Sequence, residues 1–139
     1  MVQVRQAVPL LRVADVERSM AWYAEMLGFE ASPFFEHPYV FAVLSNGHAE
    51  IMIKRGNGFR RGHLTADIWD VYLRLEGQRI REVYADLQAK GADIARTLMQ
   101  MPYNDCEFDV RDPDGYVLCL SERLADPSGI PPMPHENET

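Results

Sequence analysis

Apolar positions along the chain fall into short runs with two different periods, and the same order of runs occurs twice. Val8 to Val13 is a brief apolar stretch; Asp15 then stands as a helix N-cap, and Val16, Met20, Tyr23 and Leu27 recur at the three- and four-residue steps of one helical face. Gly28 follows at the position where a helix closes through a left-handed residue. Ile68 to Leu75 is the second such strand, with Ile80, Val83 and Leu87 as the second helical face and Gly91 as its stop. Three strand-type stretches are predicted after each helix. They are Phe29 to Phe35, Tyr39 to Leu44 and Ala49 to Lys54 in the first half, and Asp93 to Leu98, Cys106 to Arg111 and Tyr116 to Ser121 in the second. Ser45-Asn46-Gly47-His48 and Asp112-Pro113-Asp114-Gly115 are the turn signals between the last two strands of each half.

The repetition is also visible residue by residue. Leu11-Arg12-Val13 returns as Leu73-Arg74-Leu75, Tyr23-Ala24-Glu25 as Tyr84-Ala85-Asp86, and Gly28 as Gly91, at nearly one spacing. These matches imply two modules, 1–54 and 68–123, joined by a Gly- and Arg-rich linker over 55–67. A Pro-rich tail over 124–139, without hydrophobic period, is expected to be disordered or to form an extended arm.

Alternation sorts each strand into two faces. Leu11, Val13, Ile51, Ile53, Val71, Leu73, Leu75, Leu118 and Leu120 form an aliphatic set suited to packing under helices. The opposite parity is mixed and polar: Val8, Leu10 and Arg12; Glu50 and Met52; Asp70, Tyr72 and Arg74; Val117, Cys119 and Ser121. Either this second face is simply solvated, or the sheet curls and the face lines a pocket.

Composition narrows the chemistry. The chain has 139 residues, enough for one domain or two small fused units, and 14 Lys and Arg against 21 Asp and Glu give a formal charge of −7. Such a balance opposes nucleic acid and anionic membranes as partners and favours a cationic ligand. Two cysteines are too few for a disulfide framework, and no apolar run is long enough for a signal peptide core or a membrane span; a cytoplasmic location is expected.

The segments Val8-Pro9-Leu10-Leu11-Arg12-Val13-Ala14-Asp15, Ser19, Trp22-Tyr23 and Met26-Leu27-Gly28-Phe29, with the closing Glu107 to Leu118 around Asp112-Pro113-Asp114-Gly115, resemble the vicinal oxygen chelate superfamily of glyoxalases, bleomycin-resistance proteins and extradiol dioxygenases. The resemblance implies an α+β fold of two tandem βαβββ modules forming a curled mixed β-sheet with helices on the outer face. It also implies assembly as a homodimer. Metal-dependent members of that superfamily draw ligands from four strand positions, which fall here on Val8, Glu50, Asp70 and Cys119. Only Glu50 matches the family's residue type. No metal is therefore expected; if one binds, Glu50, Asp70 and Cys119 are the candidate ligands for Zn, Mn or Fe. His37, His48, His63 and His135 lie in turns, linker and tail.

Without a metal, Glu50 and Asp70 read as carboxylates facing one cavity, either docking a cation or neutralised by Arg12 and Arg74. Phe34, Phe35, Phe41, Phe59, Trp69, Tyr72 and Tyr103 are candidates to stack on a planar ligand, with Cys119 beside them. Met52, Met99 and Met101 would add adaptable apolar surface. The reading that results is a small-molecule-binding protein of bleomycin-resistance character, holding a planar or cationic compound without catalysis. The alternative is a metal-dependent enzyme of glyoxalase, dioxygenase or transferase type with a degenerate ligand set.

Overall fold

A computed structural model describes residues 1–56 and 68–134. Its elements run in the expected order: β1 (Leu10–Val13), α1 (Val16–Leu27), β2 (Glu30–Phe34), β3 (Phe41–Asn46), β4 (Ala49–Arg55), then β5 (Val71–Arg74), α2 (Ile80–Ala89), β6 (Asp93–Gln100), β7 (Cys106–Arg111) and β8 (Val117–Glu122). Hydrogen bonding divides the strands into two sheets of four, ordered β1-β4-β3-β2 and β5-β8-β7-β6. In each module the first strand pairs parallel with the last, and the remaining pairs are antiparallel. The chain divides into two compact units, one per module.

In the first unit, the helix-facing side of the sheet is aliphatic. Leu11, Val13, Ala42, Leu44, Ile51 and Ile53 are buried there, and α1 contributes Val16, Ser19 and Tyr23. The helix begins where the sequence places it: the Asp15 carboxylate accepts the Arg18 N–H at 3.0 Å. Gly28 ends it at φ +70°, where a Cβ would be strained, and its N–H returns to the Ala24 carbonyl at 3.1 Å. Pairing passes the expected end of the last strand, while β1 begins two residues inside the expected stretch. The Pro9 carbonyl accepts the Met52 N–H, and β4 continues through Arg55, after which the Gly56 N–H meets the Val13 carbonyl. The linker therefore does not begin at 55, because parallel pairing with β1 holds that residue in the sheet. Its remaining residues, 57–67, lie outside the described residues.

In the second unit, Val71, Leu87, Phe108, Val110, Leu118 and Leu120 make the corresponding core with Ile80. The α2 N-terminus differs from that of α1. Arg79, at its cap, makes no side-chain hydrogen bond to the helix N–H groups. Glu122, at the end of β8, does so instead: its carboxylate accepts the N–H groups of Gln78, Arg79 and Ile80 at 2.7, 2.9 and 3.1 Å. The described part of the tail is an extended arm: Leu124 and Ile130 are buried, and Arg81 Nη2 donates to the carbonyls of Asp126 and Ser128. The arm then pairs with the end of β6, where Gln100 N–H meets the Pro131 carbonyl at 2.7 Å and Met133 N–H meets the Gln100 carbonyl at 2.8 Å. Among the described residues no helix is long and apolar enough to cross a membrane.

Candidate functional site

Register assembles a polar site on the side of the second sheet away from its aliphatic core. Cross-strand pairing puts Tyr72 of β5, Cys119 of β8, Asp109 of β7 and Arg96 of β6 in one row, and Arg74, Ser121, Glu107 and Met99 in the next. Alternation puts the residues of β5, β7 and β8 on one face, and in β6 a register shift between Arg96 and Met99 brings both to the same rows. Arg96 is the hub. Its Nη2 donates to Glu107 Oε1 at 2.9 Å and to Asp109 Oδ1 at 3.0 Å, while its Nε stands 3.0 Å from Asp109 Oδ2, out of line for a hydrogen bond and so an ion pair only. Glu107 and Asp109 are both fully buried.

The second Glu107 oxygen is held by two phenols. Tyr72 and Tyr103 donate to Oε2 at 2.5 and 2.6 Å, and the Ser121 hydroxyl lies 2.7 Å from the Tyr72 oxygen. Each phenol has one proton and gives it to the carboxylate, so Ser121 is the donor to Tyr72. Trp69 sits against Tyr72 with ring centroids 5.4 Å apart, the Arg96 guanidinium is 5.8 Å from the Trp69 ring centre, and that of Arg74 is 5.2 Å from the Tyr72 ring centre. Trp69 is 39% and Tyr103 45% exposed, so the aromatic rings present surface above the buried acids.

Titration follows this geometry. Burial pushes the Glu107 pKa up, but hydrogen bonds from Tyr103, Tyr72 and Arg96 outweigh it and keep the carboxyl below its ordinary value. At Asp109 burial prevails over the attraction of Arg96, and the pKa rises. Tyr72 is pushed up to about 12 by burial and by its bond to Glu107, and Tyr103 also rises, from the same causes. Cys119 is raised strongly by burial and then by the Asp109 and Glu107 charges, so its thiol stays protonated and unreactive.

The residues expected from sequence separate between the two units. Trp69, Tyr72, Tyr103 and Cys119 meet in the second. Asp70, in the same unit, does not join them as a free carboxylate: it accepts the Val117 N–H at 3.0 Å and fastens the start of β5 to β8. Arg74 stands beside Asp105, with their charged atoms 4.0 Å apart. In the first unit Phe34 packs 5.8 Å from Phe41 and 6.5 Å from Phe35, an exposed aromatic patch, while Glu50 is half-buried opposite Ser45 on β3. Phe59 lies outside the described residues. Glu107, Asp109 and Arg96 were not among the expected site residues. The signal for the two acids was the alternation Glu107-Phe108-Asp109-Val110 within one strand, which puts both on one face; nothing local marks Arg96 as their partner.

The chelating set implied by the resemblance does not fit a metal here. Val8 has no donor and the Asp70 carboxylate already accepts a backbone N–H, so of the four positions only Glu50 keeps the family's residue type. Among the described residues no group of three or more His, Cys, Asp or Glu side chains could hold a metal ion.

Comparison with known proteins agrees with the architecture. Residues 5–120 match the family model of the Glyoxalase/Bleomycin resistance protein/Dioxygenase superfamily. A lactoylglutathione lyase of Haemophilus influenzae is 26% identical over 136 residues, covering 87% of this chain and 94% of that protein. Among solved structures, a virulence protein of Salmonella typhimurium is 21% identical with a TM-score of 0.66, covering 89% of this chain and all of its own. A glyoxalase/bleomycin resistance protein/dioxygenase from Nocardioides is 19% identical with a TM-score of 0.63, covering 97% of this chain and 93% of its own. With two βαβββ modules and a family match over most of its length, the chain belongs to the Glyoxalase/Bleomycin resistance protein/Dioxygenase superfamily.

Proposed function

We propose that this chain is a small-molecule-binding protein that works without a metal and takes a planar, cationic compound on the aromatic surface of the second module. One observation carries the reading: Trp69, Tyr72 and Tyr103 stand together above two fully buried carboxylates that share a single guanidinium. Planar rings stack favourably on such a surface, and a carboxylate held ionised beneath it favours positive charge. The acids themselves are not free to dock a ligand directly, since Glu107 is saturated by Tyr72, Tyr103 and Arg96. They set the local potential, while the rings make the contact.

Sequestration needs only such contacts, which accords with a chelating set of which one position in four retains the family's residue type. In this reading the protein acts in the cytoplasm as a homodimer, in the manner of drug-binding members of the superfamily. The similarity to a lactoylglutathione lyase favours a second reading, metal-dependent isomerisation through Glu50, Asp70 and Cys119. Metal analysis and thermal unfolding with and without chelator separate the two. Stoichiometric divalent metal and a melting temperature lowered by chelation would overturn the proposal. Unchanged melting, with a planar cation quenching Trp69 fluorescence in a Trp22→Phe background and its calorimetric binding lost in Trp69→Ala, is the expected result.

A further inference from the structure

A groove of about 420 Å³ opens beside the aromatic surface, with Arg74, Asp105, Ser121 and Arg123 in its wall. Arg74 occupies it in an informative way. Its side chain is 77% exposed, yet the guanidinium lies 5.2 Å from the centre of the Tyr72 ring and 4.0 Å from the Asp105 carboxylate, whose side chain is 11% exposed. An aromatic face and a nearly buried acid together make a receptor for a planar cation, and here the chain supplies the cation itself. Ser121 joins this position to the Tyr72–Glu107 hydrogen bonds described above.

We infer that the Tyr72 face and Asp105 form a cation subsite for an amidinium or guanidinium group of a ligand, and that Arg74 is its displaceable internal occupant. The inference rests on the aromatic-surface reading and adds to it the charged group that the ligand carries. Arg74 has little to hold it: an exposed cation–π contact and a separated, exposed ion pair are both weak. Asp105, in contrast, stays in place when Arg74 leaves, because Arg123 Nε donates to it at 3.3 Å and Arg123 Nη2 donates to the Tyr103 carbonyl at 2.8 Å. Glu122, in the same wall, is held by the three N–H groups at the start of α2 and takes no part.

The test uses benzamidine, a planar aromatic cation, with benzamide as its neutral counterpart, followed by calorimetry and by Trp69 fluorescence in the Trp22→Phe background. Arg74→Ala is expected to tighten benzamidine binding about two- to fivefold, the scale of one exposed cation–π contact released to the ligand, while leaving benzamide unchanged. Arg74→Lys is expected to return binding toward wild type, and adding Asp105→Asn to Arg74→Ala to remove the gain. Arg74 is exposed, so the Arg74 variants are expected to fold, and circular dichroism checks this for them and for the variant carrying Asp105→Asn. Benzamidine binding that is lost in Trp69→Ala but unmoved by Arg74→Ala would overturn the cation subsite and leave the aromatic surface standing. Equal gains for benzamide and benzamidine would overturn the charge selectivity. No binding of either compound to wild type or Arg74→Ala would overturn both readings.

Discussion

The two modules share one topology and present opposite surfaces. On the first sheet, the row away from the core reads Leu10, Met52, Val43 and Ser32, followed by Arg12, Lys54, Phe41 and Phe34. Leu10 is 57% exposed there and Phe34 45%. On the second sheet the equivalent rows hold Tyr72, Cys119, Asp109 and Arg96, then Arg74, Ser121, Glu107 and Met99. The helix-facing sides remain alike, with Leu11, Ile53 and Ala42 in one answered by Leu73, Leu120 and Phe108 in the other. The difference teaches that the aliphatic side and the backbone pairing suffice to specify the βαβββ unit. The other side is free to change, and in the second module it has become a charged network closed on itself.

The contrast is broken most severely at its hub. Arg96→Met leaves Glu107 and Asp109 buried together without a counter-charge, and a loss of about 3–5 kcal/mol is expected in urea unfolding. Hydrogen exchange should localise that loss to β6, β7 and β8. No single change on the open face of the first sheet should approach it.

Glu122→Ala ranks next. It frees three N–H groups at the start of α2, where capping by one side chain contributes about 1–2 kcal/mol, and faster exchange at Gln78, Arg79 and Ile80 would show it. Asp15→Ala, which removes one such bond from α1, should cost about 1 kcal/mol in the same assay. Equal costs at the two helices would contradict the asymmetry of their caps.

Acid sharpens the comparison further. A carboxyl lowered in the fold, as Glu107 is, contributes stability that is present above its unfolded pKa of about 4.3 and lost as pH falls through the folded value. Asp109, raised in the fold, works in the opposite sense and regains stability as it binds its proton. Asp109→Asn removes the compensating half, so that variant is expected to lose stability more steeply than wild type between pH 6 and about pH 3 in urea titrations. A shallower profile would show that Asp109, not Glu107, carries the stabilising charge. The smallest expected effect is Phe34→Ala: at an exposed position of the first sheet, unfolding should move by under about 1 kcal/mol.

Much of the architecture was legible because it depends on local patterns. Asp15 and Gly28 mark the ends of α1 through their own side chain and backbone freedom, and the strand alternation separates buried from open faces without reference to any distant residue. The α2 cap was not legible, since its acid comes from Glu122, 42 residues beyond Ile80. Asp70 misled for a similar reason. Its parity placed it on the polar face, but a carboxylate at a strand start can turn onto backbone, and the Val117 N–H is there to receive it. The arm over 124–134 lacks hydrophobic period because only Leu124 and Ile130 are buried and the rest is held by backbone carbonyls and N–H groups.

The sequence by itself determined the duplication, the family and the aliphatic faces, because periodicity and turn residues act over a few positions. It also determined that one of the four chelating positions, Val8, offers no donor at any geometry. Only the tertiary structure decided which charges meet. Arg96 faces Glu107 and Asp109 through the register of two strands, β6 and β7, and Tyr103 joins them from the segment between those strands. Hydrogen-bond partnership across strands depends on register, and register is a property of the assembled sheet.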